Sequence, residues 1–368
     1  MPEYYIGLMS GTSMDGIDAA LVDFAKGRIQ FLESHTHEWG KDIGKRLLKL
    51  SSNPLSPLSE YASLHVETAR YFAAATNALL TKSRLSAEQI CAIGSHGQTV
   101  YHQPDGSAAI SLQIGDPSTI AETTGITTIA DFRNHDIAAG GQGAPLVPAF
   151  HAAFFQSSNE NRVILNIGGI ANITILPAGT SARVTGFDTG PGNLLMNDWI
   201  KLHKHLAYDD QGKWASTGHY HPQLLEQLLS DPYFATSPPK STGRETFNLR
   251  WLDKLMGNFA RLPAEDMQAT LLELSAISIA NEINKESPEC QRVLVCGGGV
   301  HNTVLMKRLV ELLPDSKVES TAAANLHPDW VEAVAFAWLA KQTLNKCPGN
   351  LPAVTGASRQ VILGGVYY

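Results

Sequence analysis

Between Val163 and Asn193 the sequence sets a carboxylate close to a glycine turn, a pairing suited to acid–base chemistry beside an anion. The apolar run Val163-Ile164-Leu165 leads into Asn166-Ile167-Gly168-Gly169-Ile170-Ala171-Asn172. Adjacent glycines allow a tight turn and leave main-chain N–H groups open to an anion. A second apolar run, Ile173 to Leu176, leads away, and a turn around Ala178-Gly179-Thr180 brings the chain back through Ala182–Phe187 to Asp188. Thr189-Gly190-Pro191-Gly192-Asn193 follow at once, so Asp188 is expected where a strand breaks into a rigid turn. A carboxylate there is placed to act as a general base next to a phosphate. A plain hairpin followed by a helix cap would explain the same residues without function.

Two more glycine-rich elements follow predicted strands: Gly11 to Gly16 after Tyr4–Met9, and Gly297-Gly298-Gly299 after Arg292–Cys296. The first, Ser10 to Asp18, is not a GxxxxGK[ST] phosphate loop, and no strand feeds a clean GxGxxG. Three such elements, with acidic residues beside the first and after the second, suit a split ATPase. Two hairpins would grip the phosphates, and the third loop, opening the predicted helix Thr303–Leu313, would hold adenosine against bare backbone. Asp15 or Asp18 is then the candidate Mg²⁺ ligand, because that ion favours carboxylates plus phosphate oxygens; turn chemistry is the competing explanation. His96, beside Ser95 and Gln98 after the predicted strand Ile90–Gly94, reads as a polar pocket contact, with no Ser-His-Asp set in view. Arg133 and Asp136 are placed to line a pocket, where a guanidinium fork suits a substrate carboxylate and an ion pair is the alternative. Glu332 falls in the first turn of a predicted helix Asp329–Leu344, where the helix dipole favours it whatever its function.

These residues need elements to hold them. Ile17–Phe24 and Arg28–Ser34 complete a meander with the first strand, and Val163–Phe187 repeats its plan of strand, small-residue turn, strand, short turn, strand. The repeat predicts two similar domains, each offering a hairpin to a shared cleft. Leu58, Tyr61, Leu64, Ala69, Phe72, Ala75 and Leu79 predict one helix over Leu58–Lys82. Short strands are expected at Ser111–Ile114 and Ile126–Ala130, helices at Leu194–Lys204 and Thr270–Asn284, a polar loop at Ser237–Glu245, and a domain crossover at Gly140–Pro145. The 368 residues suffice for two domains, and 43% hydrophobic with 17% charged residues fits a soluble globular protein. A net charge of −7, without any basic run, argues against nucleic acid and anionic membranes as partners. No signal peptide or membrane-length apolar run is read, and Cys91, Cys290, Cys296 and Cys347, without CxxC spacing, are expected as buried thiols in a reducing cytoplasm.

Gly7-Leu8-Met9-Ser10-Gly11-Thr12-Ser13-Met14-Asp15-Gly16-Ile17-Asp18 closely resembles the opening of the anhydro-N-acetylmuramic acid kinase family. So do Ser95–Thr99, Ala130–Arg133 through Gly140–Leu146, Asn166–Asn172, Phe187–Asn193, Lys240–Glu245, Cys296–Asn302 and the Glu332-Ala333 helix, a match over the whole chain. The resemblance implies the sugar kinase/actin/heat-shock ATPase superfamily, an α/β fold of two domains with duplicated mixed-sheet cores around an ATP cleft. Residues 1–135 with 346–368 would form the first domain and 136–345 the second. It also implies conversion of 1,6-anhydro-N-acetylmuramic acid, ATP and water into N-acetylmuramic acid 6-phosphate during cell-wall recycling. Asp188 would activate the water, a role in which one step both opens the anhydro bridge and phosphorylates O6; spacing alone gives only the base. The implied nucleotide site comprises Gly11, Thr12, Ser13, Met14, Asp15, Gly16, Ile17 and Asp18, then Gly168, Gly169 and Asn172, then Gly297, Gly298, Gly299 and Asn302. Mg²⁺ is expected on Asp15 or Asp18. Sugar contacts are implied at His96, Gln98, Gly192, Asn193 and Glu332, with Arg133 on the lactyl carboxylate, and the family implies a homodimer. The rivals are a conventional hexose or amino-sugar kinase, a nucleotide-switched binding ATPase, and a glycoside hydrolase, which would need two carboxylates flanking its sugar.

Overall fold

Apolar strands joined by short polar turns pair into two sheets of the same plan. The computed structural model describes residues 1–11, 14, 16–53, 55–179 and 183–368, apart from the side chains of Lys26 and Asn258. Thr12, Ser13 and Asp15, three of the residues expected at the nucleotide, lie outside the described residues.

In the first sheet β1 (Tyr4–Ser10), β2 (Gly16–Asp23) and β3 (Gln30–Glu38) form the antiparallel meander. Beyond β1, β4 (Ile90–Gln103) and then β6 (Thr128–Ala130) add in parallel, and β12 (Gly365–Tyr367) closes that edge. β5 (Ile110–Ile114) pairs with the far end of β4. In the second sheet β7 (Arg162–Ile167), β8 (Ile170–Leu176) and β9 (Thr185–Pro191) repeat the meander. β10 (Arg292–Cys296) and β11 (Lys317–Ser320) extend it in parallel on the β7 side. The orders β12-β6-β4-β1-β2-β3 and β11-β10-β7-β8-β9 therefore match strand for strand from the third meander strand to the second parallel one. This duplicated α/β arrangement is the one the resemblance led us to expect.

Parallel neighbours need long crossovers, and helices supply them. α1 (Lys41–Ser52) and α2 (Leu58–Ser83) link β3 to β4, and α3 (Pro117–Thr124) links β5 to β6. After β6 come α4 (Asn134–Ala138) and α5 (Val147–Phe155). Between β9 and β10 lie α6 (Leu194–Lys204), α7 (Pro222–Leu229), α8 (Pro232–Ala235), α9 (Leu249–Met256) and α10 (Ala264–Glu286), and α11 (Thr303–Leu312) crosses from β10 to β11. α12 (Val331–Leu344) and α13 (Pro352–Thr355) precede β12. Phe72 and Leu79 of α2 pack on Ile6, Leu8, Ile17 and Leu21 of the first sheet, while Leu271 and Leu274 of α10 pack on Leu165 and Ile173 of the second. Each fully buried side chain of this size contributes roughly 1.5–3 kcal/mol.

The chain divides into two compact units, Met1–Phe154 with Trp330–Tyr368, and Phe155–Asp329. These boundaries differ from those expected at 135/136 and 345/346, because α12 belongs to the first sheet. A Cβ at Gly7 would strike the Ala333 carbonyl, and one at Gly94 the Phe336 carbonyl, so α12 lies directly on the backbone of β1 and β4. Gly140–Pro145 is likewise no crossover. It folds back within the first unit, where Asp136 Oδ2 accepts from the Gly143 N–H at 2.8 Å and the Gln142 N–H bonds the Thr355 carbonyl at 2.7 Å. Asp136 is wholly buried, with Oδ1 accepting from Asn350 and Thr355, and acts as the anchor of this loop. The thiols also depart from expectation: Cys290 and Cys296 are buried, but Cys91 is exposed, because strand alternation turns it outward beside buried Ala92. Among the described residues no helix is long and apolar enough to cross a membrane.

Candidate active site

Asp188 sits inside β9 rather than at its end, directly opposite Asn172 of β8. The pairing slips between Ala171 and Asn172, leaving Thr189 as an extra residue on β9. Such a bulge twists the strand and re-aims its side chains. Thr189 turns inward, fully buried, and its hydroxyl bonds the Ala171 carbonyl at 3.2 Å. Asp188 is held from three directions. Its N–H donates to the Lys240 carbonyl at 3.1 Å, its carbonyl accepts the Tyr233 hydroxyl at 2.6 Å, and Oδ2 accepts the Thr242 N–H at 3.0 Å. Burial pushes its pKa up to about 6; the Thr242 N–H opposes that shift and the nearby Glu245 carboxylate adds to it. A carboxylate of that strength is ionised at neutral pH and still basic enough to take a proton. Tyr233, Thr242 and Glu245 have no role in the sequence reading, although the last two lie inside the matched string Lys240–Glu245, the one signal that pointed to them.

The Gly168-Gly169 turn is stitched to the end of β9. The Gly192 and Leu194 N–H groups donate to the Gly169 carbonyl at 2.9 and 3.1 Å, and the Asn193 N–H to the Gly168 carbonyl at 2.8 Å. Asn193 Nδ2 also reaches the Ile167 carbonyl at 3.3 Å, and Ser275 Oγ on α10 holds the Gly192 carbonyl at 2.8 Å. Glycine turn, base-bearing strand and the start of α6 thus form one piece. In the third glycine element, a Cβ at Gly297 would meet Asn166 and Ile167, and one at Gly299 would meet the Ile167 side chain, whereas at Gly298 it would meet open space. Gly297 and Gly299 let the loop lie on β7, and Gly298 leaves an exposed stretch of bare backbone. Asn302 is buried and caps α11, accepting the Leu305 N–H at 3.0 Å, so it shapes the loop rather than reaching outward.

In the first unit Gln98 is fully buried beneath the β1–β2 hairpin. Oε1 accepts from Ser10 Oγ at 2.8 Å, Nε2 donates to the Gly11 carbonyl at 3.3 Å, and Ser10 Oγ also bonds the Gly16 carbonyl at 2.8 Å. Expected as a sugar contact, Gln98 instead fixes both ends of the glycine turn. Ile17 is fully buried and Met14 packs on the cluster of Ile43, Leu47 and Leu64, so both side chains are taken up by packing. Asp18 lies near the turn on β2, and its Oδ1 accepts the Thr36 hydroxyl at 2.9 Å.

Nearby, His96, Arg133, Glu332 and Asp18 interact as a cluster. His96 Nδ1 bonds the Gly97 carbonyl at 2.8 Å, and Nε2 accepts from Arg133 Nη2 at 2.8 Å, which makes the imidazole the neutral Nδ1–H tautomer. Burial, reinforced by the Arg133 charge, pushes its pKa down to about 3. Arg133 also donates through Nη1 to the Gly143 carbonyl at 2.8 Å. Burial lowers its pKa to about 10, an effect that Glu332 and Asp136 oppose, so it stays cationic at neutral pH. Glu332 is raised by burial, with Arg133 opposing and Asp18 adding to the rise. The arrangement is an oriented guanidinium beside a carboxylate, able to bind an acidic, hydroxylated ligand.

Asp18 and the glycine turns also fit the metal and nucleotide implied. Among the described residues no three His, Cys, Asp or Glu side chains converge as a metal cage. Mg²⁺ bound with a nucleotide needs only one or two carboxylates besides phosphate oxygens and water.

The family model for anhydro-N-acetylmuramic acid kinase matches residues 3–368. The chain is 52% identical over 366 residues to the anhydro-N-acetylmuramic acid kinase of Shewanella denitrificans, covering 100% of this chain and 98% of that one. It is also 52% identical over 362 residues to the enzyme of the same name from Shewanella putrefaciens, covering 98% of each. The chain belongs to the anhydro-N-acetylmuramic acid kinase family.

Proposed function

We propose that this protein uses ATP and water to convert 1,6-anhydro-N-acetylmuramic acid into N-acetylmuramic acid 6-phosphate, serving peptidoglycan recycling in the cytoplasm. The observation that carries this reading is the family match across almost the entire chain. Asp188 takes a proton from a water molecule as that oxygen attacks the anomeric carbon. The bond from that carbon to O6 breaks, and O6 accepts the γ-phosphoryl group as ADP leaves. One bridge is opened, one phosphoryl group moves, and one proton is left on Asp188. The carboxyl's pKa of about 6 supports the role, since the group is ionised before the step and can hold the proton after it.

Arg133, oriented by His96 and the Gly143 carbonyl, binds the lactyl carboxylate, and Glu332 accepts a sugar hydroxyl. The hairpin backbones at Gly11, Gly16, Gly168 and Gly169 meet the phosphates, and Gly298 meets the adenosine. Asp15 or Asp18 would hold Mg²⁺, which would neutralise charge on the phosphates. A homodimer is the proposed assembly, checked by sedimentation. A conventional sugar kinase would need no hydrolytic water. The test is therefore a mass-spectrometric assay in ¹⁸O-water with Mg·ATP and the anhydro-sugar, with prompt analysis and a control for anomeric exchange. One solvent oxygen at the anomeric carbon of the 6-phosphate is expected; product without it overturns the coupled mechanism.

A further inference from the structure

The loop Ser237–Glu245 runs as a strap along β9 and supplies two of the three contacts that hold Asp188: the Lys240 carbonyl on its N–H and the Thr242 N–H on its carboxylate. What seats the strap is the Lys240 side chain. That side chain is 2% exposed, and its ammonium lies 2.7 Å from Oε1 of Glu282 on α10, whose side chain is 6% exposed. It also reaches the Tyr233 carbonyl at 3.4 Å and lies 4.8 Å from the Tyr233 ring centroid. A lysine inside a matched kinase motif invites the reading that it binds phosphate, but this one is walled in by its own unit.

Nor is stability a sufficient reason for it. Taking two charges out of water costs several kcal/mol per ion, and apolar replacements of such pairs are often as stable. Among the described residues Glu282 Oε2 has no hydrogen-bond partner. Position is what the pair does fix. Lys240 sets the strap's register on β9, because its carbonyl takes the Asp188 N–H while Thr242, two residues on, reaches the carboxylate. The same ammonium braces Tyr233, whose hydroxyl holds the Asp188 carbonyl.

We propose that Lys240 is a positioning residue for the reaction: its buried pair with Glu282 locks the strap so that the Thr242 N–H holds the Asp188 carboxylate in the orientation that receives the water proton. This rests on the reading of Asp188 as the base. The charged and titratable groups bearing on that carboxylate are Tyr233 from α8, Glu245 from the strap, and Lys240 with Glu282 behind them.

The experiment is steady-state kinetics over pH 5–9 on Lys240→Met and on the double variant Lys240→Met/Glu282→Gln, with folding checked by circular dichroism. The double variant removes the pair as a unit and leaves no uncompensated buried charge, so it is informative even if the single variant misfolds. We expect kcat to fall about 10–100-fold while the KM for ATP stays within about 3-fold, the signature of a misaimed base rather than lost binding. The acid limb of kcat/KM should also move up by about one pH unit, because the carboxylate loses a donor. A folded double variant with wild-type kcat and an unmoved acid limb overturns the proposal. Asp188→Asn in the same assay separates the two ideas: an active variant sinks the base and this role together. An inactive Asp188→Asn beside a wild-type double variant sinks only the role of Lys240.

Discussion

Near the turn of its middle strand the first sheet carries Asp18, joined to Thr36 of the third strand, and the second sheet carries Asn172, opposite Asp188 of the third strand. The same meander thus presents a carboxylate in both units, but on different strands and in different surroundings. Asp18 accepts a hydroxyl from its cross-strand neighbour Thr36. Asp188 lies on a bulged strand under a strap, with one N–H on its carboxylate, and burial raises its pKa to about 6. Asp136 sharpens the contrast: it is buried more deeply, yet an N–H, an amide and a hydroxyl all donate to it. At Asp188 desolvation outweighs what the single Thr242 N–H returns, and that surplus keeps the carboxylate basic.

The largest effect should come from breaking the contrast at its centre. Asp188→Asn keeps the shape and removes the basicity, and kcat should fall about 10³–10⁴-fold in a coupled ADP-release assay. The same variant should gain stability. A carboxyl whose folded pKa exceeds its unfolded value of about 3.9 stabilises the fold most when protonated, and that contribution is lost as pH rises from about 4 through 6. Above pH 6 ionised Asp188 therefore costs up to about 3 kcal/mol, so the Asn variant should be about 1–3 kcal/mol more stable at pH 7.5 in urea titrations and flatter in its pH dependence. In the unaltered enzyme, kcat/KM should fall tenfold per pH unit below about 6, following loss of the base form.

Next come the devices that hold the hairpins. Gln98→Ala leaves Ser10 and the Gly11 carbonyl without their buried partner and should cost about 1–3 kcal/mol on urea unfolding, with a higher KM for ATP. Gly299→Ala forces a Cβ into Ile167 and should cost about 1–3 kcal/mol, whereas Gly298→Ala, facing open space, should unfold like the parent and raise only the KM for ATP. The smallest effect is expected from Tyr233→Phe. Loss of one hydrogen bond to the Asp188 carbonyl should lower kcat several-fold and stability by about 1 kcal/mol.

Much of this was legible beforehand because it is local. The period of Leu58–Leu79 gave α2 within one residue, and the two meanders were visible as a repeated order of strand and turn. The readings that failed depended on partners distant in sequence. β4 runs to Gln103 rather than stopping at Gly94, because Ser95–Gln103 find β1 on one side and β5 on the other. Asp188 lies within a strand rather than after one, because β8 and the Lys240 carbonyl continue the pairing through residues that read as a turn. Nor does the local sequence show that Gln98 and Asn302 each bond backbone groups of a neighbouring turn.

The sequence by itself determined the duplicated α/β plan, the family and the residues on which the chemistry is proposed to rest, since strand alternation, glycine turns and long matched strings are written along the chain. Only the tertiary structure decided that α12 belongs with β1, that Gln98 anchors a hairpin, and that a loop some fifty residues further on fixes the base. The physical reason is that desolvation and hydrogen-bond satisfaction depend on which groups meet in space. A residue's type states what it can donate or accept, and the fold alone supplies or withholds the partner.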